Sequence, residues 1–495
     1  MNQLKFKKVN YIITSNPPKT KEFYLKYLEI IKYNLMKSTL SLILISLFLF
    51  VGIAHSQDEQ AFFIKDIYEN SLEKGQCDTW LQFLSDSIGG RLAGSQNALD
   101  GVDYTLEQLA QISIVDTVYK QACTVPRWER GEPEVVKIKF GDNERTLKAL
   151  ALGNTIGTGP QGLEAEIIEV FGLDTLKQLG RKNLEGKIVF FNRPMNPKRI
   201  NTGYAYGEAV DQRVHGASRA SKYGAKAVLV RSVTTQNDDL PHTGVQTYQA
   251  DITPIPSLAI STNDANFLSA QLKAQKVSAF IRNTSKMLGD VISYNVIAEI
   301  KGNVNPDEII LVGGHLDSWD VGGGAHDDGA GCVHSMQVIK TLSDLNYKPN
   351  RTLRCVLFMN EENGLGGGLA YAKESNRKGE FHLAALESDS GGFTPRGFTC
   401  TGEADVLPKY LANLQGFDVF LDPYDLYLKP GGGGADINPL KSQKGLLLGF
   451  KPDGQRYFDF HHTTADVFEN VNVRELRLGA AAITSLIYLI DQYGL

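Results

Sequence analysis

Short apolar runs alternate with helix-compatible segments in the C-terminal part of the chain, from Tyr294 onward. The runs are Ile309–Val312, Leu353–Asn360, His382–Ser388 and Leu446–Phe450. Continuous apolar runs are typical of strands that are buried on both faces of a sheet, because neither face needs polar positions. The pattern therefore predicts an α/β fold whose central sheet is mixed and largely parallel, with helices on both faces.

A different pattern occupies residues 153–286, where the strands are short and the loops are long and polar. The predicted elements are the strands Ala165–Val170, Lys187–Asn192, Lys226–Arg231 and Ser257–Ile260 and a helix near Asp211–Tyr223. We interpret this stretch as a smaller inserted α/β domain. It interrupts a main domain that consists of residues 57–152 and residues 287–495.

The segment ahead of the insertion is predicted to begin with helices. Residues 59–109 have a helical pattern, broken by a glycine-rich turn at Ser87–Ser95. Val135–Phe140 and Thr146–Leu152 flank Gly141-Asp142-Asn143, which indicates a β-hairpin. We assign all of these elements to the main domain.

An uncharged apolar run, Leu40–Ala54, stands near the N-terminus. It is shorter than the roughly 20 residues that span a bilayer, which argues against an uncut membrane anchor. Lys37 precedes it and small residues follow it up to Ser56, which is the order of a secretory signal peptide. We therefore predict a signal peptide over Met36–Ser56 and an exported protein, either secreted or periplasmic. Residues 1–35 are basic and are interpreted as a start-site artefact or a basic leader.

Composition places the chain among ordinary folded proteins, since its 495 residues carry a net charge of -5, with 42% hydrophobic and 22% charged residues. These values do not favour a disordered regulator, a nucleic-acid binder or a polybasic membrane adhesin. The five cysteines have no CxxC spacing, so they give little support to a cysteine metal site or a cysteine nucleophile. The 48 glycines, against 18 prolines, direct attention to turns where the backbone can approach a ligand.

Potential metal ligands follow the apolar runs and stand among glycines. They are His315 and Asp317 after the first run, Asp327 and Asp328 beyond them, Glu361 and Glu362 after the second run, Asp389 after the third, and His461 and His462 near the C-terminus. Ligands of such sheets bind at the carboxyl ends of the strands. Carboxylates and imidazoles are the donors that hard and borderline cations take. Each motif alone is more often structural, but together they predict a hydrolytic metal site.

A pair of zinc ions would give the adjacent glutamates different tasks. Two zinc ions need a bridging carboxylate and can share a water that they acidify. Glu361 and Glu362 point in different directions, so one can bind metal while its neighbour faces the substrate. The glutamate that binds no metal is then the natural general base.

These motifs resemble those of the co-catalytic zinc exopeptidases, the family with the aminopeptidase and glutamate carboxypeptidase fold. The resemblance is carried by Gly90–Ser95, His315–Asp320, Asp327–Gly331 and His462-Thr463, so it extends over most of residues 60–495. It implies the fold of that family and two Zn²⁺ ions as cofactors.

The resemblance also implies a role for each candidate residue. The implied zinc ligands are His315 and Asp389 for one ion, Glu362 and His462 for the other, and Asp327 as the bridge. Glu361 is implied as the general base and acid, and the Asp317 carboxylate is expected to orient the His315 imidazole. His462 is chosen over His461 because the family's ligand directly precedes Ser or Thr. His461 is then free to polarise the scissile carbonyl or to stabilise the oxyanion.

Three further stretches are interpreted through the same resemblance. Residues 153–286 are similar to the family's protease-associated domain, which implies that they cover the cleft or restrict substrate size. The glycine-rich run Pro430–Asp436 is either a place where backbone binds a terminal carboxylate of the substrate or a mobile surface loop. His326, directly before Asp327, departs from the family pattern and is expected to stand beside the site without binding metal.

The sequence as a whole predicts an exported metallo-exopeptidase of carboxypeptidase or dipeptidase type that hydrolyses dipeptides or short peptides. An aminopeptidase with the same ligands is the first alternative, because only pocket residues decide between the two. A non-catalytic binding protein on the same fold and a one-zinc cyclotransferase are the others. A short peptide is the expected partner, with no nucleic acid and no membrane beyond the signal peptide, and a homodimer is left open.

Overall fold

The computed structural model describes residues 20–495, except for the side chains at positions 20–23, 27, 30, 34 and 38–57. The chain divides into two units, and the boundary between them falls between residues 63 and 64. The side chains of the apolar run of the predicted signal peptide, Leu40–Ala54, are among those that are not described, so that prediction is not tested. Within the described part of the chain, no helix combines the length and the apolar character that a membrane crossing requires.

The helices lie in three stretches of the chain, one before the first strand, one within the middle segment and one in the C-terminal half. They are α1 (Thr20–Lys74), α2 (Cys77–Gln82), α3 (Gln96–Ala110), α4 (Leu173–Leu184), α5 (Thr202–Gly207), α6 (Asp211–Ser221), α7 (Thr262–Ala274), α8 (Ala330–Asp344), α9 (Gly366–Lys378), α10 (Leu407–Leu414), α11 (Asp418–Leu421), α12 (Tyr457–Phe460) and α13 (Val473–Tyr493).

The strands form two sheets of eight strands each. They are β1 (Thr117–Glu129), β2 (Val135–Phe140), β3 (Asn143–Leu147), β4 (Ala149–Ala151), β5 (Leu163–Val170), β6 (Ile188–Phe191), β7 (Ala227–Arg231), β8 (Ser257–Ile260), β9 (Val277–Arg282), β10 (Lys286–Ile300), β11 (Asn305–His315), β12 (Arg351–Phe358), β13 (Phe381–Glu387), β14 (Pro395–Thr401), β15 (Tyr427–Pro430) and β16 (Leu446–Pro452).

The first sheet has the order β1-β10-β12-β11-β13-β16-β14-β15. Its four central strands, β12, β11, β13 and β16, are parallel, as the apolar runs predict. The pairings that flank them, β10 with β12 and β14 with β16, are antiparallel, so the sheet is mixed. Tyr371 of α9 packs into a buried cluster with Leu311 and Val356, while α8 and α13 pack against each other and against β11.

Residues 135–282 form the second sheet, in the order β3-β2-β9-β5-β6-β7-β8-β4. Its core buries Phe190, Leu229 and Leu258. β2 and β3 form a hairpin, in which β3 begins at Asn143, earlier than the predicted strand Thr146–Leu152. The sequence assigns the hairpin to the main domain, ahead of a boundary at residue 153, whereas its strands belong to the second sheet; the division into domains stays a prediction. The hairpin joins the second sheet because β2 pairs with β9, and β4 joins it by pairing with β8. A local turn signal predicts the hairpin without indicating which sheet it extends.

Two long strands connect the second sheet with the first. The chain enters the second sheet after β1 and returns through β10, and these two strands pair antiparallel from Thr117–Glu299 to Glu129–Lys286. Both ends of the inserted segment therefore leave from the same edge of the central sheet.

Arg91 holds the loop that follows β11. Its guanidinium donates from Nε to the Leu316 carbonyl at 2.6 Å, from Nη1 to Gly323 at 2.7 Å and from Nη2 to Gly324 at 2.9 Å. The side chain is fully buried. Buried carbonyls without a donor cost roughly 1–3 kcal/mol each, so one arginine stabilises the whole loop.

An Arg91→Leu variant should therefore lower the free energy of unfolding by about 2–5 kcal/mol, because the buried carbonyls of Leu316 and Gly323 lose their donor, while that of Gly324 keeps the N–H of Gly329. Urea unfolding followed by circular dichroism measures the change. Arg396→Leu is the control, since Arg396 pairs with Asp453 while half-exposed, and an exposed pair contributes about 0–1 kcal/mol. An equal effect of the two substitutions would contradict the role given to Arg91.

Candidate metal centre

Parallel strands bring the predicted ligands to one edge of the central sheet. β11 ends at His315, β12 ends just before Glu361 and Glu362, and β13 ends just before Asp389. Because these three strands are parallel neighbours, their carboxyl ends meet. β11 pairs with β12 beyond the predicted apolar run Ile309–Val312, so the strand continues to His315.

The loop between β11 and α8 positions Asp327. The carboxylate of the next residue, Asp328, accepts from the backbone N–H of His315 and of Gly331, each at 3.0 Å, and so ties the strand end to the helix start. Gly331 is required by this close approach, because a Cβ there would lie 1.8 Å from the Ser388 carbonyl oxygen.

Asp327 lies between two histidines. Its Oδ1 is 3.3 Å from Nε2 of His315, and its Oδ2 is 3.2 Å from Nε2 of His462. Asp389 Oδ1 lies 3.7 Å from the same His315 nitrogen, and Glu362 Oε2 lies 3.1 Å from the His462 nitrogen. The structure therefore brings together all five residues for which the sequence implies metal binding, with Asp327 in the middle.

Several of these atoms are buried and make no hydrogen bond within the described part of the chain. They are Nε2 of His315, Oδ2 of Asp327 and Oε1 of Glu362. A buried polar atom without a partner costs roughly 1–3 kcal/mol, more if it is charged, unless a ligand completes it. Imidazole nitrogen and carboxylate oxygen are also the donors that zinc takes. The residues fit divalent cations.

The carboxylates and imidazoles of the cluster shift one another's pKa values. Although burial opposes it, Glu362 and Asp327 raise the pKa of His462 to about 9. Burial alone would raise the pKa of Asp327, yet the neighbouring imidazoles of His315 and His462 lower it well below its usual value. A potential that holds a buried imidazole charged also attracts metal cations.

His461 stacks on His462 with ring centroids 3.5 Å apart. Its Nε2 lies 3.7 Å from Oδ2 of Asp327, and burial lowers its pKa well below the usual value. Asp327, His461 and His462 together can offer three ligand atoms to one ion. His461 is therefore placed to be a ligand as well as a group that faces substrate, and its predicted role at the carbonyl stays a prediction.

Asp317 differs from its predicted role. The His315 imidazole is oriented by the backbone carbonyl of Asp317, 2.9 Å from Nδ1, whereas the carboxylate oxygen is 3.9 Å away. The carboxylate instead accepts from the backbone N–H of Asn360 at 2.6 Å, Glu361 at 3.1 Å and Glu362 at 3.3 Å. Asp317 thus fixes the loop that carries both glutamates.

A cavity of about 290 Å³ opens beside the cluster. It is lined by Tyr206, Arg213, Val245, Asp327, Glu361, Glu362, Asp389, Tyr457, Phe458, His461 and His462. Burial, together with the nearby carboxylates of Asp389, Glu362 and Asp327, raises the pKa of Glu361 well above its usual value. Glu361 is therefore a carboxyl group with a raised proton affinity in the cavity wall.

The inserted segment supplies part of this site through residues that the sequence analysis did not single out. Thr243 accepts from Nδ1 of His462 at 3.3 Å through its carbonyl and donates its N–H to the His462 carbonyl at 3.0 Å. Tyr206 and Arg213 of the same segment line the cavity. Their residue types carry no metal signature, and they are far from the ligands in sequence. Tyr457 also lines the cavity. It lies four residues before His461, so its position close to the predicted ligands could have indicated it.

His326 is a structural histidine. Its ring stacks on Phe393 with centroids 4.2 Å apart, and its Nδ1 accepts the backbone N–H of Gly392 at 3.2 Å. Burial lowers its pKa to about 4, so the imidazole is neutral. These contacts orient the ring toward the aromatic core of the domain.

The glycine-rich run Pro430–Asp436 binds a carboxylate of the protein itself. The backbone N–H of Ala435 and of Ile437 donate to the carboxylate of Glu387, at 2.9 and 3.0 Å. A Cβ on Gly434 would lie 2.2 Å from that carboxyl carbon, so the run closely surrounds it. Glu387 therefore occupies these two donors, and the binding of a substrate carboxylate by other backbone groups of the run stays a prediction.

The family model of peptidase family M28 matches residues 295–487. Carboxypeptidase Q of Bos taurus is 34% identical over 415 residues, which cover 83% of this chain and 84% of the relative, and carboxypeptidase Q of Homo sapiens is 34% identical over 413 residues. This confirms the likeness to carboxypeptidase Q that the stretch His315–Gly331 indicates.

Solved structures share the fold. A peptidase M28 precursor from Shewanella amazonensis SB2B superposes with a TM-score of 0.82 at 33% identity, covering 88% of this chain and 97% of that one. A zinc aminopeptidase from Bacillus subtilis gives a TM-score of 0.59 at 20% identity over 84% of this chain and 95% of that one. Similarity therefore extends over both sheets.

Proposed function

Because the chain belongs to peptidase family M28, we propose that it is a zinc-dependent exopeptidase of carboxypeptidase or dipeptidase type that hydrolyses dipeptides or short peptides. The observation that carries the proposal is the cluster of buried ligand atoms around Asp327, several of which make no hydrogen bond within the described part of the chain. Relatives named carboxypeptidase Q support the substrate class, and a neighbour named as a zinc aminopeptidase supports the metal.

Two zinc ions are the proposed cofactors. His315 and Asp389 would hold one, Glu362 and His462 the other, and Asp327 would supply one oxygen to each. When bound, the ions supply Lewis acidity, which lowers the pKa of a water and polarises the scissile carbonyl.

Glu361 is the proposed proton carrier. Its carboxylate lines the cavity and is not needed as a ligand in this scheme. It takes a proton from the attacking water and then gives that proton to the nitrogen of the leaving amine. The hydrogen bonds of Asp317 to the backbone of Glu361 and Glu362 keep the proton carrier and the ligand in fixed relative positions.

The size of the cavity supports short substrates. At about 290 Å³ it lies at the lower end of small-molecule sites. The inserted segment, residues 135–282, forms one wall, which agrees with the role of a protease-associated domain that restricts the cleft. Export through the predicted signal peptide would place the enzyme outside the cytoplasm.

Metal content and substrate range test the proposal together. We expect the purified protein to contain about two zinc ions per chain, to lose activity with a chelator and to regain it with added zinc. Zinc analysis by mass spectrometry and a panel of dipeptides, N-blocked dipeptides and longer peptides provide the measurements.

Each alternative has its own outcome in the same experiment. Hydrolysis restricted to peptides with a free N-terminus, with longer peptides accepted, would favour an aminopeptidase. A protein without zinc at neutral pH and without hydrolysis of any peptide would favour the non-catalytic binding protein. About one zinc per chain with no peptidase activity would favour the cyclotransferase.

A further inference from the structure

Arg130 lies where the chain leaves the first sheet for the second. It directly follows β1, and its guanidinium forks onto the carboxylate of Asp320, with Nη2 2.6 Å from Oδ1 and Nε 2.8 Å from Oδ2. Asp320 belongs to the loop between β11 and α8 that also carries Asp327. The side chains of Arg130 and Asp320 are only 11% and 28% exposed. A shielded, bidentate pair of this kind holds its two partners in one relative orientation.

The same guanidinium also contacts the second sheet. Nη1 donates at 2.6 Å to the carbonyl of Ala151, the last residue of β4, and at 3.1 Å to Oε1 of Glu134. The Glu134 oxygen in turn accepts the backbone N–H of Ala151 at 2.7 Å. Arg130 therefore joins the loop of the metal centre to the inserted segment through direct hydrogen bonds.

Thr243 continues this connection to the metal centre. It is fully buried, and its hydroxyl donates at 2.8 Å to the Ala151 carbonyl that Arg130 also contacts. Its own carbonyl is 3.3 Å from Nδ1 of His462. Arg213 Nη1 approaches the same nitrogen at 3.5 Å, but a guanidinium cannot accept a proton. The Thr243 carbonyl thus favours the tautomer with the proton on Nδ1, which leaves Nε2 free to bind a cation.

The loop at the Asp320 end of this connection is fixed in place. Arg91 holds the loop by its hydrogen bonds, and a Cβ on Gly90 would lie 2.8 Å from the Asp320 backbone, so this part of the loop has little room to shift. The inserted segment packs directly against the same loop, since a Cβ on Gly153 would lie 1.9 Å from the Trp319 ring. A clamp between the two can therefore transmit a fixed position to Thr243.

We infer that Arg130 and Asp320 are positioning residues of the zinc centre, an inference that rests on the proposed two-zinc function. Their pair holds the inserted segment against the loop between β11 and α8, and Thr243 thereby holds the His462 imidazole in the orientation that binds zinc. The inserted segment is then part of the metal centre as well as a wall of the cleft. Groups that orient a metal-bound imidazole contribute about 10- to 100-fold to metal affinity.

Zinc affinity in the Asp389→Ala background tests this assignment. That substitution is expected to empty the site of His315, so the remaining ion reports on the site of His462. We expect Arg130→Met to weaken its binding about 10-fold, measured by competition with a chromophoric chelator. Arg130→Lys should lose less, because it keeps the charge without the bidentate fork. Asp320→Asn should act like Arg130→Met, and the double variant should bind no more weakly than either single variant, since both changes break one connection.

Arg145→Met is the matched control. Arg145 also pairs with an aspartate, Asp264, at 2.6 Å, and its guanidinium carbon lies 4.3 Å from the Phe267 ring centroid, much as that of Arg130 lies 5.1 Å from the Trp128 ring centroid. Its pair lies wholly within the inserted segment, between β3 and α7, so we expect zinc affinity to stay unchanged. Thermal unfolding of the metal-free variants measures the stability that each one loses. An equal loss of zinc affinity in Arg145→Met and Arg130→Met would overturn the positioning role.

Hydrogen exchange in the metal-free protein separates this inference from the proposed function. The N–H of Thr243 donates to the His462 carbonyl at 3.0 Å, so its exchange rate reports on the connection without zinc or substrate. Mass spectrometry of a peptide that contains Thr243 should show exchange about 10-fold faster in Arg130→Met and unchanged in Arg145→Met. If the wild-type protein binds no zinc, the proposed function fails, while these rates still test the connection. Unchanged exchange or unchanged zinc affinity in Arg130→Met would overturn the inference.

Discussion

Glu361→Gln should leave the zinc content intact and lower kcat about 1,000-fold. The amide has nearly the volume of the carboxylate, so the cavity and the neighbouring ligands keep their positions. It cannot accept the proton of the attacking water, and general acid–base catalysis contributes about 100- to 10,000-fold. KM should change little, because Glu361 has no proposed contact with the substrate before the proton moves. Steady-state kinetics and metal analysis on the same preparation measure both quantities.

The adjacent glutamate offers a matched control. Glu362→Gln makes the same change one residue further on, at the carboxylate that lies 3.1 Å from His462. There we expect lower zinc affinity, measured by competition with a chelator, and activity that partly recovers with excess zinc. If Glu361→Gln loses zinc, or if it keeps wild-type turnover, the separation of roles between the two glutamates is wrong.

The clustering of the candidate ligands could be predicted from the sequence because most of them follow buried strands. A strand that is apolar on both faces is recognisable from sequence, and parallel neighbours must end at one edge of the sheet. His315, Glu362 and Asp389 are placed by this rule alone. His462 follows the short helix α12 rather than a strand, so its place in the site came from the resemblance to the family.

Hydrogen-bond orientation could not be predicted in the same way. Asp317 is two residues from His315, and that spacing predicts proximity without deciding which oxygen of Asp317 faces the imidazole. In the structure the carbonyl does, and the carboxylate turns to the backbone of Asn360 and Glu361. For the Asp317 carboxylate, the three backbone N–H donors of Asn360, Glu361 and Glu362, which follow β12, outweigh one imidazole.

Two of the elements missed in the fold lack a strong apolar pattern. β10 is exposed over most of its first half, and the edge strand β15 is only four residues long, so neither resembles a buried strand in the sequence. Arg213 and Thr243 belong to the inserted segment, and each is more than 200 residues from His462 in the sequence. Such long-range contacts depend on how two sheets pack, which a local pattern does not contain.

Asp327→Ala should remove both zinc ions and abolish peptidase activity, whereas Asp389→Ala should remove only one ion. Asp327 directs one carboxylate oxygen toward His315 and the other toward His462, so its loss takes a ligand from both sites. Of these two histidines, His315 is the one that Asp389 approaches, with 3.7 Å between Asp389 Oδ1 and His315 Nε2. We therefore expect about zero and about one zinc per chain, against about two in the wild-type protein, after equilibration with a submicromolar zinc buffer.

The two aspartates serve as controls for each other, because each substitution deletes one carboxylate from the same edge of the sheet. Thermal unfolding in a chelator compares the metal-free proteins, which should melt within a few degrees of the metal-free wild type. Addition of zinc should then raise the melting temperature of Asp389→Ala partly and that of Asp327→Ala hardly at all, since ligand binding stabilises only a folded state that retains a site. Equal zinc contents in the two variants would show that Asp327 does not bridge, and the two-ion arrangement would have to be replaced by separate sites.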